Sequence, residues 1–190
     1  MSDDLDAQGF WPPAQRLDSP NQDPRPTDVT LDLVVVHNIS LPPDQFGGQF
    51  VQQLFTNCLD PRAHPYFAQI ASLRVSAHFL IDRRGQATQF VSTHCRAWHA
   101  GVSMLEVAGL RRTACNDFSI GIELEGTDTA GFTAAQYRTL GRLGRALHAA
   151  HSIRYWRGHS EIAPGRKTDP GPSFDWQRAE RAYPAIGQSR

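Results

Sequence analysis

The chain has 190 residues, and its 19 lysine and arginine residues balance 19 aspartate and glutamate residues. This length favours one domain with a sizeable core, and the balanced charge gives no general attraction to nucleic acid or to an anionic membrane. The acidic first residues lack the apolar core of a secretory signal, and no apolar run approaches a membrane span. We therefore expect a cytoplasmic protein without nucleic-acid or membrane partners. A monomer is expected as well, although no sequence pattern determines the oligomeric state.

The cysteine content points to the same compartment. Cys58, Cys95 and Cys115 are an odd number of thiols with no close spacing, which is typical of a reducing cytoplasm. None of them lies in a recognisable cysteine–histidine motif. We interpret them as unreactive thiols and not as nucleophiles.

An extended arm is predicted over residues 1–30, packed on the domain through Trp11 and Leu17. Prolines in this segment exclude a long helix; they are Pro12, Pro13, Pro20, Pro24 and Pro26. The run Leu31–His37 that follows is apolar and β-branched without alternation, as in a strand buried on both faces. His37 lies where this strand opens into a loop, at the end that faces the binding crevice in α/β sheets.

Strand and helix patterns alternate through the rest of the chain. The predicted elements are a helix at 50–55, a short helix or turn at 65–71, a hairpin of strands 75–81 and 87–91, a strand at 118–125, a helix opening at a capping box in 133–136, a strand at 154–157, and a last helix from a Ser173 cap to about Tyr183. The strand at 118–125 alternates, which puts Glu123 and Glu125 on one polar face.

The loop at 158–171 concentrates ionisable side chains. Its proline and glycine residues exclude a regular helix or strand; they are Pro164, Gly165, Pro170 and Gly171. A solvated surface turn is the plainest interpretation of such a loop. The alternative is a site, because His159 and Asp169 together with His37 form a zinc ligand set that leaves one coordination position open.

Two further groups would complete the chemistry of amide hydrolysis. A zinc-bound water has its pKa lowered to about 7, and Glu123 could take its proton and return it to the leaving amine. Lys167 could stabilise the developing oxyanion. Sequence geometry does not distinguish Glu123 from Glu125, and His99 has no partner in the sequence. His78 is interpreted as structural.

With these residues in hand, the chain resembles the zinc-dependent N-acetylmuramoyl-L-alanine amidases, and more narrowly their cytoplasmic branch that acts on 1,6-anhydro muropeptides. The motifs that carry the resemblance begin with Val35, Arg74, Arg96, Cys115 and Gly158, and they read VVHNISLPP, RVSAHFLI, RAWHAGVS, CNDFSIGIELEGTD and GHSEIAPGRKTDPGP. They extend over nearly the whole domain, from about residue 31 to residue 176.

The resemblance implies a single domain with a central mixed β-sheet flanked by helices, of the amidase type 2 or peptidoglycan-recognition-like fold. It implies an amidase domain at 31–184 and a C-terminal tail at 185–190. Its site residues would be one Zn²⁺ on His37, His159 and Asp169, catalytic Glu123 in preference to Glu125, transition-state Lys167, and substrate contacts from Arg74, Trp98, Asn38 and Tyr66.

The implied reaction is hydrolysis of the amide between 1,6-anhydro-N-acetylmuramic acid and L-alanine in small soluble muropeptides, during recycling of the cell wall. One alternative is a broader amidase that cuts intact peptidoglycan. The other is a binding module that recognises muropeptides without cutting them. A module of that second kind would lack a full ligand set, whereas all three positions are filled here.

Overall fold

Residues 3–188 are described in a computed structural model, and six of their strands form one mixed sheet. In chain order these strands are β1 at Gln15–Arg16, β3 at Leu33–Ile39, β4 at Phe79–Ile81, β5 at Ala87–Gln89, β9 at Ser119–Glu125 and β10 at Tyr155–Gly158. Their spatial order is β1-β5-β4-β9-β3-β10. Only the β4–β5 pair is antiparallel, so the mixed sheet implied by the resemblance is confirmed.

Two smaller ribbons accompany the main sheet. One pairs β2 at Gln22–Pro24 with β6 at Cys95–Ala97, and the other pairs β7 at Met104–Val107 with β8 at Leu110–Thr113. The second ribbon was not predicted from the sequence. A 3-10 turn at Cys115–Phe118 connects it to β9.

The predicted central strand is confirmed as β3, whose first five residues are buried. Val34 and Val36 pack in the main core, whereas Leu33 and Val35 pack in a second cluster on the other face. A strand covered on both faces needs no polar alternation. The predicted hairpin also forms, but its strands are shorter than predicted because residues 75–78 are not in a strand.

Helices cover both faces of the sheet. They are α1 at Phe50–Phe55, α2 at Phe67–Ile70, α3 at Ala134–Ala150, α4 at His159–Ile162, α5 at Trp176–Ala182 and α6 at Ala185–Gln188. The capping box of α3 is confirmed, with Thr133 and Gln136 exchanging hydrogen bonds. Within residues 3–188, no helix is long and apolar enough to cross a membrane.

The C-terminal region differs from prediction in two places. Asp175, not Ser173, caps α5 by accepting from the backbone N–H of Arg178. Ser173 lies two residues before this cap, and its hydroxyl donates toward the carbonyls of Thr127 and Ala130. The predicted tail from residue 185 begins with helix α6, and Ile186 is fully buried in the core. Residues 189–190 of that tail lie outside the described range.

The N-terminal arm is integrated into the domain. Trp11 is buried, and its backbone N–H donates to the side-chain oxygen of Gln89. β1 forms an edge of the main sheet by pairing with β5. Arg25 donates to the carbonyls of residues 93, 116, 117 and 119. The arm therefore holds the segment that leads into β9.

Candidate metal centre and substrate cleft

Three adjacent parallel strands bring the predicted site residues together. His37 is near the end of β3 and is in register with Glu123 of β9. On the other side of β3, Gly158 at the end of β10 pairs with Val36, and His159 follows directly. The carboxyl ends of parallel strands meet at one edge of a sheet. Residues more than a hundred positions apart in sequence thus become neighbours.

His37, His159 and Asp169 form a compact triangle of ligand atoms. Nδ1 of His37 lies 3.0 Å from Nδ1 of His159 and 3.0 Å from Oδ2 of Asp169. The remaining side, from His159 Nδ1 to Asp169 Oδ2, measures 3.1 Å. Both histidines are buried, and this trio is a group with the spacing to hold a metal ion.

The surroundings of His159 fix which nitrogen carries its proton. Its Nε2 is 3.1 Å from the carbonyl oxygen of Ala100, which can only accept. The nearest guanidinium nitrogen of Arg166, at 3.5 Å, donates its two hydrogens to the carbonyls of Ala100 and Val102. The proton of neutral His159 therefore lies on Nε2, and its Nδ1 lone pair points into the triangle.

The charge states of the other two groups also favour a cation. Burial lowers the pKa of His37 to about 4, so its imidazole is neutral at physiological pH. Burial alone would raise the pKa of Asp169, but its contacts with His159 and His37 hold that pKa well below its usual range. Two imidazole nitrogens and one carboxylate oxygen are a typical donor set for zinc. The residues present therefore fit a metal ion.

Glu123 lies beside the triangle with an unusual carboxyl group. Its Oε2 is buried and has no hydrogen-bond partner among the described residues. Burial raises the pKa of Glu123 well above its ordinary value, and the negative charge of Asp169 raises it further, whereas Lys167 opposes the shift. A carboxyl group with a raised pKa can hold and release a proton near neutral pH.

Lys167 is the only lysine in the chain. Its side chain is exposed, and its positive charge is felt by both Glu123 and His37. The loop that carries it is anchored by hydrogen bonds from the backbone N–H groups of Arg166 and Lys167 to the carbonyl of Ala163. An ammonium group is thereby present next to the candidate metal centre.

A cleft of about 530 Å³ opens over these residues. Trp98, Tyr66 and Asn38 line it and are half-buried. The side-chain amide of Asn38 donates to Oδ1 of Asp128 at 2.7 Å. Arg74 is exposed and folds back toward the carbonyls of Ser72 and Leu73. It is not among the residues that line the cleft, although both of its chain neighbours are.

Glu125 has different surroundings from Glu123. Its two carboxylate oxygens accept from the backbone N–H groups of Gly47 and Arg83. It lines a separate cavity of about 840 Å³ that shares no lining residue with the cleft. The larger cavity is therefore not the one that contains the metal-type residues, and Glu125 holds two loops together.

One neighbour of the candidate metal centre, His99, is not predicted by any sequence pattern. Nδ1 of His99 lies 2.9 Å from Nε2 of His37, on the side of that ring away from the triangle. These residues are 62 positions apart, so no spacing pattern links them. His78 lies further out and accepts the backbone N–H of Gly121, which agrees with the structural role predicted for it.

This α/β domain brings together, in one cleft, a metal-type ligand set, a buried carboxyl group with a raised pKa and an ammonium group. Such a combination is typical of a hydrolytic enzyme. The chain belongs to the N-acetylmuramoyl-L-alanine amidase family, whose model matches residues 26–172. The sequence-based resemblance to this family is thus confirmed. The match starts before residue 31, and the predicted domain boundary there stays a prediction.

Individual relatives agree with this assignment. The chain is 56% identical over 173 residues to the 1,6-anhydro-N-acetylmuramyl-L-alanine amidase AmpD of Escherichia coli K12, covering 90% of this chain and 92% of the relative. A crystal structure of a selenomethionine derivative of AmpD has a TM-score of 0.88 at 55% identity, covering 94% of this chain and 98% of the other. The amidase AmiD of E. coli, in complex with the substrate anhydro-N-acetylmuramic acid-L-Ala-D-γ-Glu-L-Lys, has a TM-score of 0.56 at 25% identity, covering 94% of this chain and 65% of the other.

Proposed function

We propose that this amidase uses zinc to hydrolyse the amide between the lactyl group of 1,6-anhydro-N-acetylmuramic acid and L-alanine, in soluble muropeptides recycled in the cytoplasm. The observation that carries the proposal is the convergence of His37, His159 and Asp169 beside Glu123 at the floor of one cleft. The choice of substrate is supported by the high identity to an AmpD that is named for this activity.

One zinc ion per chain would be held by Nδ1 of His37, Nδ1 of His159 and Oδ2 of Asp169. When bound by three protein ligands, zinc keeps a position open for water and supplies an activated nucleophile near neutral pH. The protonation of His159 on Nε2 supports this ligand set, because it leaves Nδ1 free to coordinate.

Glu123 is proposed as the proton carrier of the reaction. Its carboxylate takes a proton from the attacking water and delivers it to the amide nitrogen as the carbon–nitrogen bond breaks. The products are the lactyl carboxylate and the free amine of L-alanine. Support comes from the buried, unpartnered Oε2 and from the raised pKa, since both favour a group that alternates between acid and base.

Lys167 is proposed to stabilise the oxyanion that develops on the scissile carbonyl oxygen. A fixed positive charge is worth most where substrate has displaced water from the cleft. Its influence on the pKa of Glu123 supports a position close to the reacting atoms. A second contribution follows from the same charge, because it favours the ionised form of Glu123 that accepts the first proton.

Substrate recognition is assigned to the walls of the cleft. The indole of Trp98 can stack on an apolar sugar face, and Tyr66 widens the aromatic wall. Asn38 has its amide nitrogen engaged by Asp128, which leaves its carbonyl oxygen as an acceptor for a substrate N–H. Arg74 would have to turn from its present contacts to bind a carboxylate of the stem peptide.

The cytoplasmic location and the monomeric state are part of the same proposal. All three cysteines are free thiols, as expected in a reducing compartment. The balanced charge favours a small soluble ligand over an anionic polymer. Size-exclusion chromatography with light scattering tests the monomer directly.

The decisive experiment compares three substrates. Purified protein is incubated with an anhydro-muropeptide, its non-anhydro counterpart and intact peptidoglycan, and the products are identified by mass spectrometry. We expect release of the stem peptide from the anhydro substrate, loss of that activity after chelation, and recovery with added zinc. Comparable cleavage of intact peptidoglycan would favour the broader amidase, and binding without cleavage would favour the recognition module.

A further inference from the structure

His99 connects a proposed metal ligand to the interior of the protein. Its Nδ1 lies 2.9 Å from Nε2 of His37, and its Nε2 lies 3.1 Å from the hydroxyl oxygen of Ser119. The rings of His37 and His99 meet edge to face at a centroid distance of 5.0 Å. We call this chain of contacts the His37–His99–Ser119 relay.

The relay is held in place by its neighbours. The backbone N–H groups of His99 and Ala100 both donate to Oδ1 of Asn116, at 3.2 and 2.8 Å. The ring of His99 lies on Gly121 so closely that a Cβ there would be 2.4 Å from Cγ of the ring. Ser119 is fully buried, and its carbonyl accepts from the Arg25 guanidinium. The surroundings therefore leave the His99 ring little freedom.

The hydrogen-bonding chemistry gives the relay a direction. An imidazole that coordinates a metal through Nδ1 carries its proton on Nε2, and that proton needs an acceptor. For His37 the acceptor is Nδ1 of His99. That nitrogen can accept only if the His99 proton is on Nε2, where the Ser119 hydroxyl receives it. His159 differs, because its Nε2 proton meets a backbone carbonyl that can only accept.

We propose that His99 is a positioning residue for the amidase reaction. It accepts the Nε2 proton of His37 and so keeps the Nδ1 lone pair of His37 directed at the metal site. The proposal rests on the zinc-dependent function argued above. Without this acceptor, the His37 proton can move to Nδ1, where it competes with the metal for the same lone pair.

A pair of substitutions separates this role from simple packing. In His99→Asn, the side-chain Oδ1 takes the place of the ring Nδ1 and can still accept from His37. In His99→Phe, a ring of similar shape remains but the acceptor is lost. His148→Phe is the matched control, because His148 is a half-buried histidine on α3 that stacks near Trp156, away from the cleft.

The measurement is zinc affinity by competition with a chelator, with circular dichroism as the check on folding. We expect His99→Phe to bind zinc about 10- to 100-fold more weakly than the unsubstituted protein, the usual effect of losing such a partner. His99→Asn and His148→Phe should remain close to the unsubstituted protein. At saturating zinc, His99→Phe should lower kcat on an anhydro-muropeptide with little change in KM.

Equal zinc affinity in His99→Phe and the unsubstituted protein would overturn the proposal, and so would equal losses in His99→Phe and His99→Asn. If the unsubstituted protein bound no zinc, the zinc-dependent function itself would fail, which is a separate result.

If His99→Phe does not fold, Ser119→Ala decides the question. Removing the hydroxyl leaves the His99 Nε2 proton without an acceptor and shifts it toward Nδ1, so zinc affinity should fall by about tenfold; unchanged affinity would contradict the relay.

Discussion

The floor of the cleft and its rim are built differently. On the floor, His37 and Glu123 belong to paired strands, His159 follows a third strand, and all three are buried. On the rim, Tyr66 and Trp98 are half-buried and Lys167 is exposed. The buried groups of the floor are thus held closely in position by the sheet. The more accessible groups of the rim, Lys167 among them, are carried by loops.

Removing a ligand from the floor should have the largest effect. We expect His159→Ala to lose most of its zinc and essentially all turnover, because two protein ligands do not make a stable site. Metal analysis and product formation measure the two losses. The exposed histidine His94 provides the control as His94→Ala. Full zinc and full activity in His159→Ala would show that the ligand set is wrong.

Substitution of the two glutamates of β9 should distinguish a catalytic role from a structural one. Glu123→Ala should retain zinc and lose turnover by about 100-fold or more, the scale of general acid–base catalysis. Glu125→Ala should keep most turnover but lower the unfolding temperature, because the N–H groups of Gly47 and Arg83 lose their acceptor. Steady-state kinetics and thermal unfolding test both; equal kinetic losses would contradict the assignment.

Lys167 tests whether a rim residue takes part in the transition state. Lys167→Ala should lower kcat by about 100- to 1000-fold, the range for one lost oxyanion donor, with KM nearly unchanged and zinc retained. Arg62→Ala is the control, since Arg62 is an exposed cation paired with Asp60. A loss seen mainly in KM would instead make Lys167 a substrate-binding residue.

The smallest kinetic effect is expected from the cysteines. Replacing Cys58, Cys95 or Cys115 by serine should leave turnover intact, because none of them belongs to the floor of the cleft. Cys115 is fully buried, so serine there should still lower the unfolding temperature through burial of a hydroxyl group. Loss of turnover in a folded, zinc-loaded serine variant would show that a thiol takes part in the chemistry.

The sequence predicts those parts of the fold that depend on local patterns. The apolar run of β3 and the capping box of α3 are local patterns, and both predictions are confirmed. The pairing of β1 with β5 was not, because residues 15 and 88 are brought together by tertiary packing and not by any local pattern. The predicted strand at 75–81 was too long for a related reason: the backbone N–H of Ser76 donates to the carbonyl of Trp98 in a loop, and the first bond to β9 is made by His78.

The sequence proposes residues for the candidate site but does not predict their arrangement: the structure brings His37, Glu123, His159 and Asp169 together, whereas Arg74 does not line the cleft. Local patterns indicate His37, His159 and a glutamate of the strand at 118–125 as candidate site residues. The choice of Glu123 over Glu125 depends on the family resemblance. The strand pattern places both glutamates on the same polar face. The structure distinguishes them, because the carboxylate of Glu125 accepts hydrogen bonds from the backbone N–H groups of Gly47 and Arg83. No sequence pattern predicts the contact of His99 with His37, because the two residues are 62 positions apart and meet only in the folded structure.

The long separation of the candidate ligands has a consequence for the thermodynamics of folding. Asp169 meets His37 across 132 positions of the chain, so the triangle exists only when the sheet is assembled. An ion bound there binds the native state and not the unfolded chain, and its binding energy adds to the free energy of unfolding. At a free zinc concentration a hundred times the Kd, that addition is about 2.7 kcal/mol. The melting temperature of this protein should therefore rise with the logarithm of available zinc.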